Sequence, residues 1–173
     1  MDAEFTAFVR SAYPRLLRTA YLLTGEPGMA EDLVQTVLAR LFLRWERLAG
    51  VRDRDALIAY ARTALARQSI SWWRRAWHRE RPTAELPEPR DATSGADPLT
   101  TLENRDLLVH ALAQLPPRQR AAVVLRYFDD LTEAATAAAM GCSVGTVRAH
   151  TSRGIARLRD LMTAGPTTTG GAR

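Results

Sequence analysis

The sequence predicts an all-α fold of two small helical domains joined by a flexible linker, and three observations carry that prediction. Apolar residues recur at three- and four-residue spacing in two separate blocks. Between them, Arg81 to Thr101 reads RPTAELPEPRDATSGADPLTT, rich in Pro, Ser, Thr, Gly and acidic residues, a composition that cannot bury a core. Neither block shows strand-like alternation bounded by hairpin turns. With 173 residues and 46% hydrophobic content, the chain has material for one medium domain or two small helical ones. The expected units are residues 1–80, a linker over 81–101, a second unit over 102–162 and a disordered tail over 163–173.

In the first block Phe5, Phe8, Val9, Ala12, Leu16, Ala20 and Leu23 keep helical spacing, and Pro14 marks either a kink or the first turn of a second helix. Thr24-Gly25 ends this stretch. A long helix is expected from about Pro27 to Leu48, with Leu33, Val34, Val37, Leu41 and Trp45 inside and Asp32, Gln35, Thr36 and Ala39 outside. After a polar loop at Ala49 to Arg54, a third helix runs from about Asp55 to Trp77. The second block opens with Leu102 to Leu115, breaks at Pro116-Pro117 and resumes from Arg118 to Phe128.

Leu131 to Met162 has the pattern of a helix-turn-helix. A short Ala-rich helix runs to Met140, Gly141 can turn the chain with positive φ, and Ser143 is placed to cap a second helix. On that helix Val147, Thr151, Ile155, Leu158 and Met162 form an inward stripe. Opposite lie Ala149, Ser152, Arg153, Ala156 and Arg157, flanked by Arg148 and His150. Small residues beside arginines let a helix sit deep in a major groove while guanidinium groups reach bases or phosphates. The alternative is an ordinary amphipathic helix pair with a solvated basic face.

Charge agrees with a polyanionic partner: 24 basic residues, all arginine, face 19 acidic ones, for a net charge of +5. The absence of lysine beside abundant alanine suggests a GC-rich genome, which discounts part of that argument. Cys142 stands alone, which rules out an intramolecular disulfide and argues against a cysteine-based zinc site. His78, His110 and His150 are scattered, and neither a nucleophile–base pair nor a Gly-rich phosphate loop occurs, so no catalysis, metal or cofactor is expected. The N-terminus lacks the character of a signal peptide and no apolar run is long enough to span a bilayer, so a cytoplasmic location is expected.

Ser71 to Arg81, SWWRRAWHRER, gathers three of the four tryptophans among arginines. Rings can stack on exposed bases while guanidinium groups follow phosphates, which suits single-stranded or partly melted nucleic acid. Trp72 continues the apolar stripe of Leu57, Ile58, Ala61 and Leu65 and reads as core, leaving Trp73 and Trp77 as candidates for contact with DNA or a partner.

Five motifs stand in a telling order: AEDLVQ at Ala30 to Gln35, SWWRR at Ser71 to Arg75, LPPRQR at Leu115 to Arg120, YFDDLTE at Tyr127 to Glu133, and GCSVGTVRAHTSRG at Gly141 to Gly154. Together they resemble a bacterial sigma factor of the sigma-70 family, of the minimal extracytoplasmic-function group and its small actinobacterial sigma-E-like type. Such proteins keep only region 2, a helical bundle, and region 4, a helix-turn-helix unit. The resemblance implies core RNA polymerase and promoter DNA as partners, an anti-sigma factor as a further candidate, and no membrane contact.

Residue by residue, it implies that Asp32 and Gln35, with Thr36 and Ala39 beside them, meet the polymerase clamp helices. The loop at Ala49 to Arg54 and the helix through Arg62, Arg67, Ser71, Trp73, Arg74, Arg75 and Trp77 would recognise and open the minus-ten element. Arg148, Ser152 and Arg153 hold the family's base-reading positions for the minus-thirty-five element, with Ala149 on the same face and Thr146, His150 and Arg157 near phosphates.

Some positions depart from the family pattern. Ala135-Thr136 replaces a common Glu-Ile pair, Thr151 replaces a large aliphatic residue and His150 stands where arginine is usual. Met29 and Thr36 replace acidic residues, and Arg67 sits where asparagine is frequent. Two rival readings stay open: a stand-alone helix-turn-helix regulator, and a degenerate sigma-like chain that occupies polymerase without initiating.

Overall fold

The computed structural model describes residues 2–48, 53–79 and 99–163, and every regular element among them is helical. Helix α1 spans Asp2–Thr24 without interruption, so Pro14 lies inside it rather than opening a second helix. The proline has no N–H to donate, and its exposed position leaves the orphaned carbonyl one turn back to water. Gly25 ends the helix at φ +79°, and a Cβ there would lie 2.9 Å from the Ala113 Cβ. Both the backbone conformation and the close approach therefore favour glycine.

Helix α2 runs over Pro27–Phe42. Pro27 occupies the first turn, where a missing N–H costs nothing, and the Glu26 carboxylate accepts from Gly28 and Met29 N–H, each at 3.2 Å. The expected single helix to Leu48 is interrupted at Leu43-Arg44, and a short α3 follows over Trp45–Leu48. Phe5 holds both sides of the interruption, its ring centroid 5.0 Å from Phe42 and 5.0 Å from Trp45. Helix α4 spans Arg54–Arg79 and buries Leu57, Ile58, Ala61, Leu65 and Ala66 against α1 and α2. Trp72 packs half-buried against this core, on the phase its spacing predicts. Four residues of the expected loop, 49–52, lie outside the described residues.

Helix α5, Leu99–Ala113, begins within the last three residues of the expected linker; the rest of the linker and positions 164–173 lie outside the described residues. Helix α6 covers Pro117–Val123 and widens into a π turn at Val124–Phe128 where one regular helix is expected. The widened turn leads into Asp129 and Asp130, the latter at φ +53°. Helix α7, Glu133–Met140, and α8, Val144–Thr163, complete the helix-turn-helix.

The two helical units do not stand apart. α1 packs on α5, α6 and the π turn, and α4 packs on α6 and α7. Buried apolar side chains of both units form one cluster, from Phe8, Leu16 and Leu33 to Leu112, Leu125 and Val147. No helix of the described residues is long and apolar enough to cross a membrane.

Candidate nucleic-acid interface

The turn of the helix-turn-helix is built as its sequence requires. Thr132 caps α7 by accepting the Ala135 N–H at 3.1 Å, and Gly141 closes it in the left-handed region at φ 65°, ψ 42°. Ser143 Oγ then accepts the Thr146 N–H at 3.1 Å at the start of α8. Val147 and Leu158 are buried, as their spacing predicts, and Thr151 and Ile155 are half-buried. Met162, expected on the same stripe, is exposed instead. The inward line passes through Gly154, whose missing Cβ would lie 2.7 Å from Val123 Cγ2 and 3.3 Å from the Gln119 carbonyl. Helices α6 and α8 thus approach closely at a glycine.

The outward side of α8 brings the candidate minus-thirty-five residues together. Arg148, Ala149, Ser152, Arg153 and Arg157 are exposed, while Thr146 and His150 are half-buried at its edge. Arg148 Nε donates to Glu133 Oε2 at 2.8 Å, an exposed pair that water and a competing phosphate can exchange at small cost. Burial, then the Arg118 and Arg153 charges, hold the His150 imidazole below its ordinary value of 6.5. Its Nδ1 is sealed from water without a hydrogen-bond partner among the described residues. The ring is therefore neutral at pH 7, and the face presents arginines around a patch of small side chains.

On α2, Asp32, Gln35 and Ala39 are exposed and Thr36 half-buried, on one side of the helix opposite Leu33, Val34 and Val37. This polar face is available to a partner.

The α4 residues have a different setting. Arg74 and Arg75 are exposed and Ser71 is half-buried, but Arg62, Arg67 and Trp73 are engaged by the second helical unit. Arg62 Nε lies 3.4 Å from Asp129 Oδ1, and that carboxylate also accepts from Thr19 Oγ1 at 2.9 Å. Burial pushes the Asp129 carboxyl up, against the opposing pull of Arg62, Thr19 and Arg18. Arg67 donates from Nε to the Ala139 carbonyl at 2.7 Å and from Nη2 to the Ala138 carbonyl at 2.6 Å, at the negative end of α7. The Trp73 ring lies 5.1 Å from the Arg120 guanidinium carbon. The side chain of Trp77 lies outside the described residues.

Arg120, quoted in a motif but given no role from sequence, proves central to this junction. It is 2% exposed and has no carboxylate partner among the described residues; its guanidinium donates to the carbonyls of Leu23 at 2.8 Å, Ala113 at 2.6 Å and Leu115 at 3.0 Å. Burial lowers its pKa to about 10, which still leaves it charged at neutral pH. The signal available in the sequence was an arginine directly preceding the apolar run Ala121 to Leu125. Asp129 and Thr19, also without assigned roles, lie 110 positions apart and become neighbours only through the fold.

Comparison with known proteins matches the two units separately. Residues 8–79 match the family description Sigma-70 region 2, and residues 105–158 match Sigma-70, region 4. The RNA polymerase sigma-E factor of Streptomyces coelicolor is 40% identical over 162 residues, covering 93% of this chain and 87% of that one. The ECF RNA polymerase sigma factor SigE of Mycolicibacterium smegmatis is 32% identical over 163 residues, covering 89% of this chain and 60% of that one. Among solved structures, the sigma factor RpoE of Bartonella quintana, crystallised with the anti-sigma factor NepR, superposes with a TM-score of 0.69 at 25% identity, covering 94% of this chain and 98% of that one. A chain that carries region 2 and region 4 in this order, with these relatives along nearly its whole length, belongs to the sigma-70 family as a sigma factor of the extracytoplasmic-function group.

Proposed function

We propose that this chain binds core RNA polymerase and directs promoter-specific transcription initiation, reading two promoter elements with its two helical regions. The observation that carries this reading is the exposed face of α8, where Arg148, Ala149, Ser152, Arg153 and Arg157 offer guanidinium forks around small side chains. Such a face admits a helix to the major groove and supplies the donors that guanine edges and phosphates accept. In the same reading residues 1–80 form region 2, 81–101 a linker and 102–162 region 4.

Region 2 has two tasks in this scheme. The exposed Asp32, Gln35 and Ala39, with Thr36, would dock on the polymerase clamp, and the α4 residues Arg62, Arg67, Ser71, Trp73, Arg74, Arg75 and Trp77 would hold the minus-ten strand as it separates. Region 4 would place Arg148, Ser152 and Arg153 on bases of the minus-thirty-five element, with Thr146, His150 and Arg157 on phosphates. Phosphodiester chemistry belongs to the polymerase, so the chain itself is not an enzyme, and it works in the cytoplasm where the template is. An anti-sigma factor is a further partner of the kind with which the Bartonella protein was crystallised.

Run-off transcription on genomic fragments tests the proposal. Core polymerase with the chain should yield discrete transcripts that core polymerase alone does not; their complete absence would sink the reading. Footprinting of the chain without polymerase separates the stand-alone regulator, which would protect its site strongly by itself.

A further inference from the structure

Of the arginines on the reading face of α8, one is held. Arg148 Nε donates to Glu133 Oε2 at 2.8 Å, whereas Arg153 and Arg157 form no ion pair among the described residues. Glu133 opens α7, whose other side chains are alanines, Thr136 and Met140, so no second group on that helix can take its place. Its carboxylate stands at the positive end of the α7 dipole, which favours a negative charge there. Both supports are fixed: Thr136, Ala137, Ala139 and Met140 anchor α7 in the core, and Val147, directly before Arg148, is wholly buried. The contact therefore restrains a long side chain that would otherwise swing.

We infer that Glu133 is a positioning residue that sets the Arg148 guanidinium for a base edge rather than for the phosphate backbone, so that an acidic side chain sharpens promoter choice without touching a base. The inference rests on the proposed reading of bases by Arg148. A guanidinium can offer a fork through Nε and one terminal nitrogen, or through its two terminal nitrogens. With Nε given to Glu133, the second fork remains, and guanine O6 and N7 accept such a pair in the major groove. A phosphate makes no such demand, since any N–H suits it. Swinging to a phosphate costs Arg148 its carboxylate, and the Glu133 charge repels the phosphate that draws it. Reading the base costs neither, and a side chain already set has less rotamer freedom to lose. The two side chains are 67% and 36% exposed, so the preference added is several-fold and no larger.

The test pairs core polymerase with the full chain on a promoter obtained by run-off transcription. Each base pair of the minus-thirty-five element is replaced in turn, and transcripts from competing templates are counted. Arg148→Ala marks the base pair that this arginine reads, by a loss of about tenfold in discrimination there. At that base pair and at no other, Glu133→Ala and Glu133→Asp should each lose about threefold. Asp keeps the charge at the start of α7 but is one methylene too short for the contact. Glu133→Gln keeps an oxygen acceptor at the same reach and should lose less. In the Arg148→Ala background none of the three should change discrimination further. On a fluorescein-labelled mixed-sequence duplex of about 30 base pairs, the affinity of Glu133→Asp should fall more steeply with salt, by about 0.9 in the log–log slope, as Arg148 takes up a phosphate.

If Glu133→Asp matches the parent chain while Glu133→Gln and Glu133→Ala lose discrimination, the effect is one of charge alone and the positioning role is overturned. An unchanged salt slope, or a loss that persists in the Arg148→Ala background, overturns it equally. Full discrimination by Arg148→Ala itself would instead overturn the reading of bases by that arginine. Should the alanine variant fail to fold, the contrast between Glu133→Asp and Glu133→Gln decides.

Discussion

Thr136 is wholly buried in α7, and its Oγ1 is cut off from water with no hydrogen-bond partner among the described residues. A buried hydroxyl in that state retains the cost of leaving water without the return of a new bond, about 1–3 kcal/mol. Thr136→Val keeps the shape and removes the hydroxyl, so the variant should unfold at higher urea with an unchanged denaturant slope. An unaltered midpoint would mean that the hydroxyl finds a partner in solution. His150, another departure from the family pattern, yields a prediction in pH. Its folded value lies below the ordinary 6.5, first through burial and then through the Arg118 and Arg153 charges. Its contribution to stability is therefore full above pH 6.5 and is lost as pH falls through the folded value. A phosphate beside the ring acts in the opposite direction, because it favours the charged imidazole. Lowering pH from 7.5 to 5.5 should thus lower the melting temperature while tightening duplex binding, and His150→Gln should flatten both responses. Identical pH profiles for the two proteins would remove this ring from the phosphate contact.

Among the elements, the contact of α6 with α8 depends on what Gly154 lacks. A glycine inside a helix costs about 1 kcal/mol against alanine in propensity, so this position accepts a local penalty for a close approach. Gly154→Ala recovers that penalty but drives a methyl group to 2.7 Å from Val123 Cγ2, a side chain only 1% exposed that has little room to move. Overpacking of this kind costs about 1–3 kcal/mol, so the net change should be a destabilisation of up to about 2 kcal/mol, read in the thermal midpoint. A stabilised variant would show that the helices can separate freely. The helix-turn-helix itself was legible in the sequence because its signals are local: a capping hydroxyl at Ser143, a left-handed glycine at Gly141 and a three- and four-residue stripe through Val147 and Leu158. The interruption at Leu43-Arg44 and the π turn at Val124–Phe128 were not legible. Both sit within good helical periodicity. The first coincides with a tertiary contact, Phe5 against Phe42 and Trp45, and the second leads into Asp129 at its long-range pairing with Thr19 and Arg62. Periodicity reports which face is apolar, and it is silent on where another helix needs the chain to widen or turn.

For the molecule as a whole, the composition of the linker pointed to two helical domains joined by a flexible tether, and the described residues of both pack into one continuous core. The exposed faces of α2 and α8 follow from spacing alone, but the engagement of α4 by region 4 does not, because no sequence pattern pairs Arg67 with carbonyls 71 and 72 residues away. Arg120 is one residue that joins the two units. It ties the C-terminal end of α1 in region 2 to the end of α5 in region 4, where two helix dipoles converge on one cation. Arg120→Met keeps much of the apolar stem but leaves the Leu23, Ala113 and Leu115 carbonyls without their donor, at about 1–3 kcal/mol for each group that stays buried. The opposing effect is the desolvation that already lowers the arginine pKa to about 10, so the variant is spared the cost of burying a charge. Unpaired carbonyls at two helix ends should win this contest. The variant should lose roughly 3 kcal/mol or more, and its unfolding should divide into two transitions as region 2 and region 4 cease to melt together. A single transition with a loss below about 1 kcal/mol would mean that desolvation cancels the three bonds, and that the two regions are held by apolar packing alone.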